Sequence, residues 1–426
     1  MIGVVPDLTW GISNADQDRT IVALRESGAK WVRLSIDWRL NEPAVPGVYD
    51  AWWTAHVDRA VEISNAAGLN MLMVVYDAPV WASGSTARNT PRNPADYARF
   101  MGYIANRYRG KIKAYEVWNE PNIERFWTNP NAAEYTRMLQ ATYPAVKTAD
   151  PAATVVFGGP SHADYRYIEA AYAAGAKGYF DAMAVHPYTY CGTGAPDTIN
   201  SGGDGRIDKG SFLSYREVRK TMLAQGDDKP IWMTEFGWNT STVACDPARG
   251  IWQGGVSESL QASYLARAFE LFAADPYVGP AFVYNFRNNY WSADANDPEA
   301  RYGLLRTDFS RKPAFEALRA AAGATPPAPV EPAPAAPLTV TLTAPTEGLE
   351  IRGTITFAAT ASADGGIARV VFAVDGRTIK EVTVAPYGSR WTGFRRLRVG
   401  PHVVEARAYD RAGQVATDSA NVTKLP

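Results

Sequence analysis

Asn70-Met71-Leu72-Met73-Val74-Val75-Tyr76 is almost uninterrupted apolar chain, with no polar side chain from Met71 to Val75. A strand with one wet face alternates, whereas one covered on both faces does not. This run therefore predicts a parallel strand buried between two layers. Working outward, short runs of similar character recur at Gly3–Val5, Trp31–Ile36, Lys113–Asn119, Thr154–Gly158, Ala182–His186, Ile231–Glu235 and Ala281–Asn285. Helical patterns separate them. Thr20 to Ser27 sets Ile21 and Leu24 on one face and stops at Gly28, a residue suited to a C-terminal cap. Tyr97, Met101, Ile104 and Tyr108 recur at helical spacing. Eight β-then-α units predict an α/β fold, a closed (β/α)8 TIM barrel. An open doubly wound sheet would place a Gly-rich phosphate turn after an early strand, and the sequence has none.

The pattern changes at Ala324-Thr325-Pro326-Pro327-Ala328-Pro329, which runs on in Pro and Ala to Pro337. Proline fixes φ and removes donors, so this is an extended spacer. The reading divides the chain into the barrel at 1–322, a linker at 323–337 and a small all-β domain at 338–426. In the last, Leu338–Leu342, Val370–Val374 and Val403–Tyr409 look like strands, and Asp375-Gly376 is a hairpin signal between two of them. An immunoglobulin-like β-sandwich is expected there. Its size and pattern resemble the bacterial Ig-like modules appended to secreted enzymes.

Composition narrows the function. The 43 basic and 44 acidic residues leave a net charge of −1, so nothing suggests nucleic acid or an anionic membrane as partner. No apolar run is long enough to cross a membrane, so no membrane insertion is expected. Thirteen Trp and 22 Tyr fit either a large core or a surface that stacks on flat ligands. Two cysteines, Cys191 and Cys245, and four histidines give no metal-ligand spacing, so neither a metal nor a cofactor is expected. The cysteines fit a disulfide between two loops of an oxidising compartment, or two free thiols.

A β/α barrel builds its site at the C-terminal ends of its strands. Two of these carry a glutamate: Tyr115-Glu116-Val117-Trp118-Asn119-Glu120-Pro121 after the fourth strand, and Ile231-Trp232-Met233-Thr234-Glu235-Phe236-Gly237-Trp238 at the seventh. Cleaving a glycosidic bond needs one carboxylic acid to protonate the departing oxygen and a second carboxylate at the anomeric carbon. Side chains from nearly opposite staves can flank one sugar ring. Asn41-Glu42-Pro43 repeats the same triplet without the strand-end Trp, and Glu42 is read as a solvated loop residue.

Trp118-Asn119-Glu120-Pro121, Thr234-Glu235-Phe236-Gly237 and Ala182-Met183-Ala184-Val185-His186-Pro187-Tyr188 together resemble the clan A glycoside hydrolases, with wording most similar to family 39. That resemblance covers the barrel and implies a retaining glycosidase acting on an oligo- or polysaccharide. Glu120 is its implied acid/base, with a pKa raised by burial and the neighbouring carboxylate, and Glu235 its nucleophile. It further implies that Asn119 bonds the sugar 2-hydroxyl and that Arg33 holds the nucleophile ionised, though Arg33 also fits as a structural partner of Glu116. Tyr188 would donate to Glu235, and His186 would line the pocket.

Members often carry a Trp at the eighth strand. Here the residues are Tyr284-Asn285-Phe286-Arg287, leaving Phe286 or Trp291 to form the floor. Trp38, Trp81, Trp127 and Trp238 fall in catalytic-face loops and are candidate sugar platforms, their alternative being packing beneath those loops. A Cys191–Cys245 bridge would tie two such loops together. The chain is expected to be a monomer, secreted or held at the cell surface, with its export signal absent from this sequence. The competing function is a non-catalytic carbohydrate-binding protein on a degenerate glycosidase barrel.

Overall fold

A computed structural model describes residues 1–426 apart from 88, 243–253, 290–297, 325–337, 364–365 and 411–413. Two compact units divide at Met1–Pro326 and Pro327–Pro426. No described helix is long and apolar enough to cross a membrane.

The first unit is the (β/α)8 barrel. Its parallel strands are β1 Ile2–Val4, β2 Trp31–Asp37, β3 Asn70–Tyr76, β4 Ala114–Val117, β5 Thr154–Phe157, β6 Met183–Val185, β7 Ile231–Phe236 and β8 Val278–Val283. They run in ring order, β1 pairing with both β2 and β8. The last gap, between β5 and β6, is bridged at Val156 and Ala182, with the Phe157 N–H donating to the Ala182 carbonyl at 2.9 Å. Met71 to Val75 are fully buried, as a strand between two layers must be.

Period two sorts each strand into an inner and an outer face. On β2, Trp31 enters the barrel interior while Val32, Leu34 and Ile36 join the helix-side core. On β4, Ala114 packs inward, and Tyr115 and Val117 outward. Strand β7 departs from the rule. Its register against β8 gains one residue between Met233 and Phe236, a bulge on the β7 side. Trp232 is interior and Met233 and Phe236 are outer, so Thr234 and Glu235, both between them, turn inward together.

The helices follow from their caps. Ser13 accepts from the Asp16 N–H and starts a helix at Asn14–Ser27, which closes on Gly28 at φ +76°. Asn93 and Pro94 start Pro94–Arg107, whose Tyr97, Met101 and Ile104 are buried.

Glu42 is not solvated. It is fully buried: both its oxygens accept from Arg99 Nη2, at 2.7 and 2.6 Å, and Oε2 from Trp38 Nε1 at 2.8 Å. The loop folds inward because Trp38 and Trp81 pack edge to face beneath it and need an acceptor for their indole N–H groups, Trp81 using the Glu42 carbonyl at 2.9 Å.

The second unit holds a five-stranded and a three-stranded sheet. Phe357 of one stacks on Phe372 of the other, centroids 5.2 Å apart. Asp375 and Gly376, at φ +48° and +78°, make the tight turn their sequence announces. The turn leads from Ile367–Val374 into Arg377–Val382, a strand not among those expected, rather than into Val403–Tyr409. Arg377–Val382 is a polar edge strand, so it shows no apolar alternation.

Glu42→Gln keeps the shape of the side chain but removes the charge that Arg99 meets. A loss of about 1–3 kcal/mol is expected in denaturant unfolding. A loss below about 0.5 kcal/mol would place Glu42 with ordinary exposed pairs.

Candidate active site

The cavity at the C-terminal end of the barrel has a volume near 980 Å³. The end of β4 explains how Glu120 reaches it. Trp118 and Glu120 both adopt left-handed backbone, φ +72° and +41°, which side chains other than glycine rarely take. Buried contacts hold this kink. The Trp118 N–H donates to the Tyr97 hydroxyl at 3.1 Å, its indole N–H to the Phe126 carbonyl at 2.8 Å, and its ring packs against Trp127. The Glu120 N–H donates to the Gly159 carbonyl at 3.2 Å. The strand-end Trp is thus the anchor that turns the following Asn and Glu into the cavity.

Arg33, buried on β2, organises the floor. Its Nε donates to Glu116 Oε2 at 2.6 Å, Nη1 to Glu235 Oε1 at 2.5 Å and Nη2 to Asn119 Oδ1 at 2.8 Å. Arg33 pairs both with the deep Glu116 and with Glu235. Tyr188 donates its hydroxyl to Glu235 Oε2 at 3.0 Å. A Glu120 oxygen, a Glu235 oxygen and a His186 ring nitrogen all lie within 4.8 Å of one another.

His186 does not line the cavity; it lies fully buried behind Glu120. Its Nδ1 meets Glu120 Oε1 at 2.9 Å and its Nε2 meets Thr234 Oγ1 at 3.0 Å. Thr234 donates to Glu116 Oε1 at 2.8 Å. That spends the Thr234 proton, so Thr234 accepts from His186 Nε2–H. One proton is then left between His186 Nδ1 and Glu120. Gly159 leaves room for this chain, since a Cβ there would come within 2.7 Å of the His186 ring and 2.9 Å of Thr234 Oγ1.

The charges follow. Burial would raise the Glu116 carboxyl, but Arg33 and His186 overcome it and bring it down to about 2. Burial would lower the His186 pKa, but the carboxylates of Glu235, Glu116 and Glu120 push it up to about 9. Glu120, expected above the usual carboxylate range, is held below it: burial would raise it, but the His186 contact, with His162 and Arg125 beside it, outweighs burial. Glu120, His186 and Glu235 are also the described groups close enough together to hold a metal ion. Both Glu235 oxygens, both His186 ring nitrogens and Glu120 Oε1 already take part in the hydrogen bonds given above.

The proposed aromatic platforms are elsewhere. Trp38, Trp127 and Trp238 are buried in the helix-side core, and Trp81 packs on its edge. Trp38 and Trp238 directly follow β2 and β7, and Trp81 and Trp127 come from the loops beyond β3 and β4, all packing towards the helix layer. Phe286 is likewise buried, against Phe315. Trp291 and Cys245 lie outside the described residues; Cys191 lines the cavity and is disulfide-bonded. The cavity's rings are instead Trp10, Tyr76, Phe126, Tyr188, Tyr284 and Tyr302. Asp7 and Asp77, beyond β1 and β3, also line it. Burial brings Asp7 up to about 7 against the pull of Arg287, and Asp77, with help from Asp37, up to about 6. The Asp7 Oδ2 is buried with no hydrogen-bond partner among the described residues. The strand-end rule that located Glu120 covers these positions too, but they carry no motif.

Because the His186 pKa is raised above its ordinary 6.5, its charge stabilises the fold fully below about pH 6.5 and progressively less towards about pH 9. His186→Asn removes this term. The gap in unfolding free energy between wild type and variant is therefore expected to narrow as pH rises through that window. A gap independent of pH would mean that His186 is neutral in the fold.

A family model described as cellulase (glycosyl hydrolase family 5) matches residues 4–268, and one described as bacterial Ig domain matches 339–422. A β-xylosidase from Geobacillus stearothermophilus is 47% identical over 47 residues, 11% of this chain; the match spans only 9% of that protein's length. A solved family 39 glycoside hydrolase from Bacteroides cellulosilyticus WH2 superposes with TM-score 0.59 at 21% identity, over 92% of this chain and 79% of its own. A monomeric β-xylosidase from Caulobacter crescentus CB15 gives TM-score 0.56 at 16% identity, over 97% and 74%. Those two structures speak for the shared fold. The cellulase model spans more than half of the sequence, and the chain accordingly belongs to the cellulase family of glycosyl hydrolases (family 5), a clan A barrel, here followed by a bacterial Ig domain.

Proposed function

We propose that the chain is a retaining glycoside hydrolase that cuts an oligo- or polysaccharide by double displacement, with Glu235 as nucleophile and Glu120 as acid/base. The observation that carries this reading is that one oxygen of Glu120 lies within 4.8 Å of one oxygen of Glu235. Retaining enzymes hold the two carboxyls about 5–5.5 Å apart, whereas inverting ones leave about 6.5–9.5 Å for a water. Arg33 and Tyr188 spread negative charge away from Glu235 and aim it at the anomeric carbon. In this reading Asn119, held by Arg33, meets the sugar 2-hydroxyl.

Glu120 needs a proton for the first step, and His186 Nδ1 supplies it at 2.9 Å. A sugar that displaces water from the cavity disfavours the separated charges of imidazolium and carboxylate, moving the shared proton onto Glu120. Glu120 then protonates the departing oxygen as Glu235 attacks. Water replaces the leaving group, loses its proton to Glu120 and releases the sugar from Glu235.

In this reading residues 1–322 are the catalytic domain, 323–337 a linker and 338–426 a spacer or wall-contact module. The enzyme acts without a cofactor, as a monomer, outside the cell or on its surface. The disulfide at Cys191 and the bacterial Ig domain favour that location.

Glu235→Ala is expected to abolish turnover on a panel of plant and bacterial polysaccharides, and azide to restore it as a glycosyl azide of inverted anomeric sense. Glu120→Gln is expected to lower kcat about 10²–10⁴-fold. Near wild-type rates in both variants would refute the assignment. Sugar binding with no product from the wild type would favour the carbohydrate-binding alternative.

A further inference from the structure

In a β/α unit the helix begins at the barrel end where the preceding strand finishes. The helix Ala51–Ala66, which follows β2, therefore presents its first turn on the face that carries Glu120 and Glu235. That turn is Ala51-Trp52-Trp53. Asp50 caps it, Oδ1 accepting from the backbone N–H of Trp52 at 3.0 Å and of Trp53 at 2.9 Å, which fixes where the two indoles leave the helix. Their rings meet edge to face, centroids 4.7 Å apart. Trp52 also stacks on His56, one turn further on, at 5.0 Å and 7°. His56 is buried, yet Trp52 remains 57% exposed. A ring held on one side and open to water on the other is a ready stacking surface.

Gly11 joins this surface to the cavity. It lines the cavity, and a carbon in place of its missing Cβ would lie 3.5 Å from Trp53 and 3.7 Å from Trp52. Its neighbour Trp10, also on the wall, packs 6.3 Å from Tyr76, which packs 5.6 Å from Phe126. Phe126, Tyr76 and Trp10 thus form a run of rings along the cavity wall, and Gly11 joins that wall to Trp53 and Trp52. A single exposed Trp needs no explanation. One that extends the wall of a cavity, itself at the upper end of the usual 300–1,000 Å³ range, does.

We propose that Trp52 and Trp53 form a distal sugar subsite, taking by its apolar face a further pyranose of the chain whose neighbours occupy the cavity. This rests on the glycosidase reading and makes the substrate an oligosaccharide long enough to cross the rim.

The test compares hexasaccharides with trisaccharides of the cello-, xylo- and manno- series. KM is measured for wild type, Trp52→Ala and Trp52→Phe, and Kd by calorimetry in the Glu235→Gln background with and without Trp52→Ala. Trp52→Ala is expected to raise the hexasaccharide KM and Kd about three- to tenfold relative to those of the trisaccharide, and Trp52→Phe to recover most of the loss. An unaltered ratio in Trp52→Ala, or no hexasaccharide binding more tightly than its trisaccharide, would overturn the subsite. A Trp52-dependent affinity in Glu235→Gln with no product from the wild type would keep the subsite and overturn the catalytic reading instead.

Discussion

The guanidinium of Arg33 is the constraint around which the barrel's upper interior is arranged. Three of its nitrogens are spent on three different side chains: Glu116 and Asn119 flanking the end of β4, and Glu235 on β7. A buried cation without partners would cost several kcal/mol. The same arginine that satisfies Glu116 from below therefore fixes Asn119 and Glu235 at the cavity floor. Its planar fork sets their directions as well as their charge. Stability and site geometry are the same set of bonds here.

Above that floor, the proton inventory is settled by neighbours. Glu116 stays ionised beside Arg33 and accepts the hydrogen bond of the Thr234 hydroxyl, which obliges His186 to donate from Nε2. A second carboxylate then meets Nδ1. Neither His186 nor Glu120 titrates independently; the pair holds one proton and the surroundings decide where it resides.

Much of this was legible in the sequence, and the reasons differ by element. The barrel announced itself in Met71–Val75 and its counterparts because burial on both faces leaves no polar positions. Glu120 and Glu235 stood out because strand ends are few and each carried a motif. The side chains on Trp38, Trp127 and Trp238 were harder to read. Loop position on the catalytic face says nothing about whether a ring turns to the cavity or to the helix layer, and these turned to the helices. Trp10, Tyr76, Asp7 and Asp77 line the cavity from positions without a signature. The pKa of Glu120 was misjudged for a related reason: burial was visible in the sequence, whereas the imidazole pressed against it, from two strands away, was not.

The bulge in β7 has a further meaning. A regular strand offers the inside of a barrel every second residue, so a neighbouring pair cannot both face it. One additional residue lets Thr234 serve the proton chain while Glu235 faces the substrate cavity. Shortening β7 by that residue would restore the pleat and swing one of the two into the apolar layer beneath the helices. The site's chemistry depends on a local irregularity of pairing.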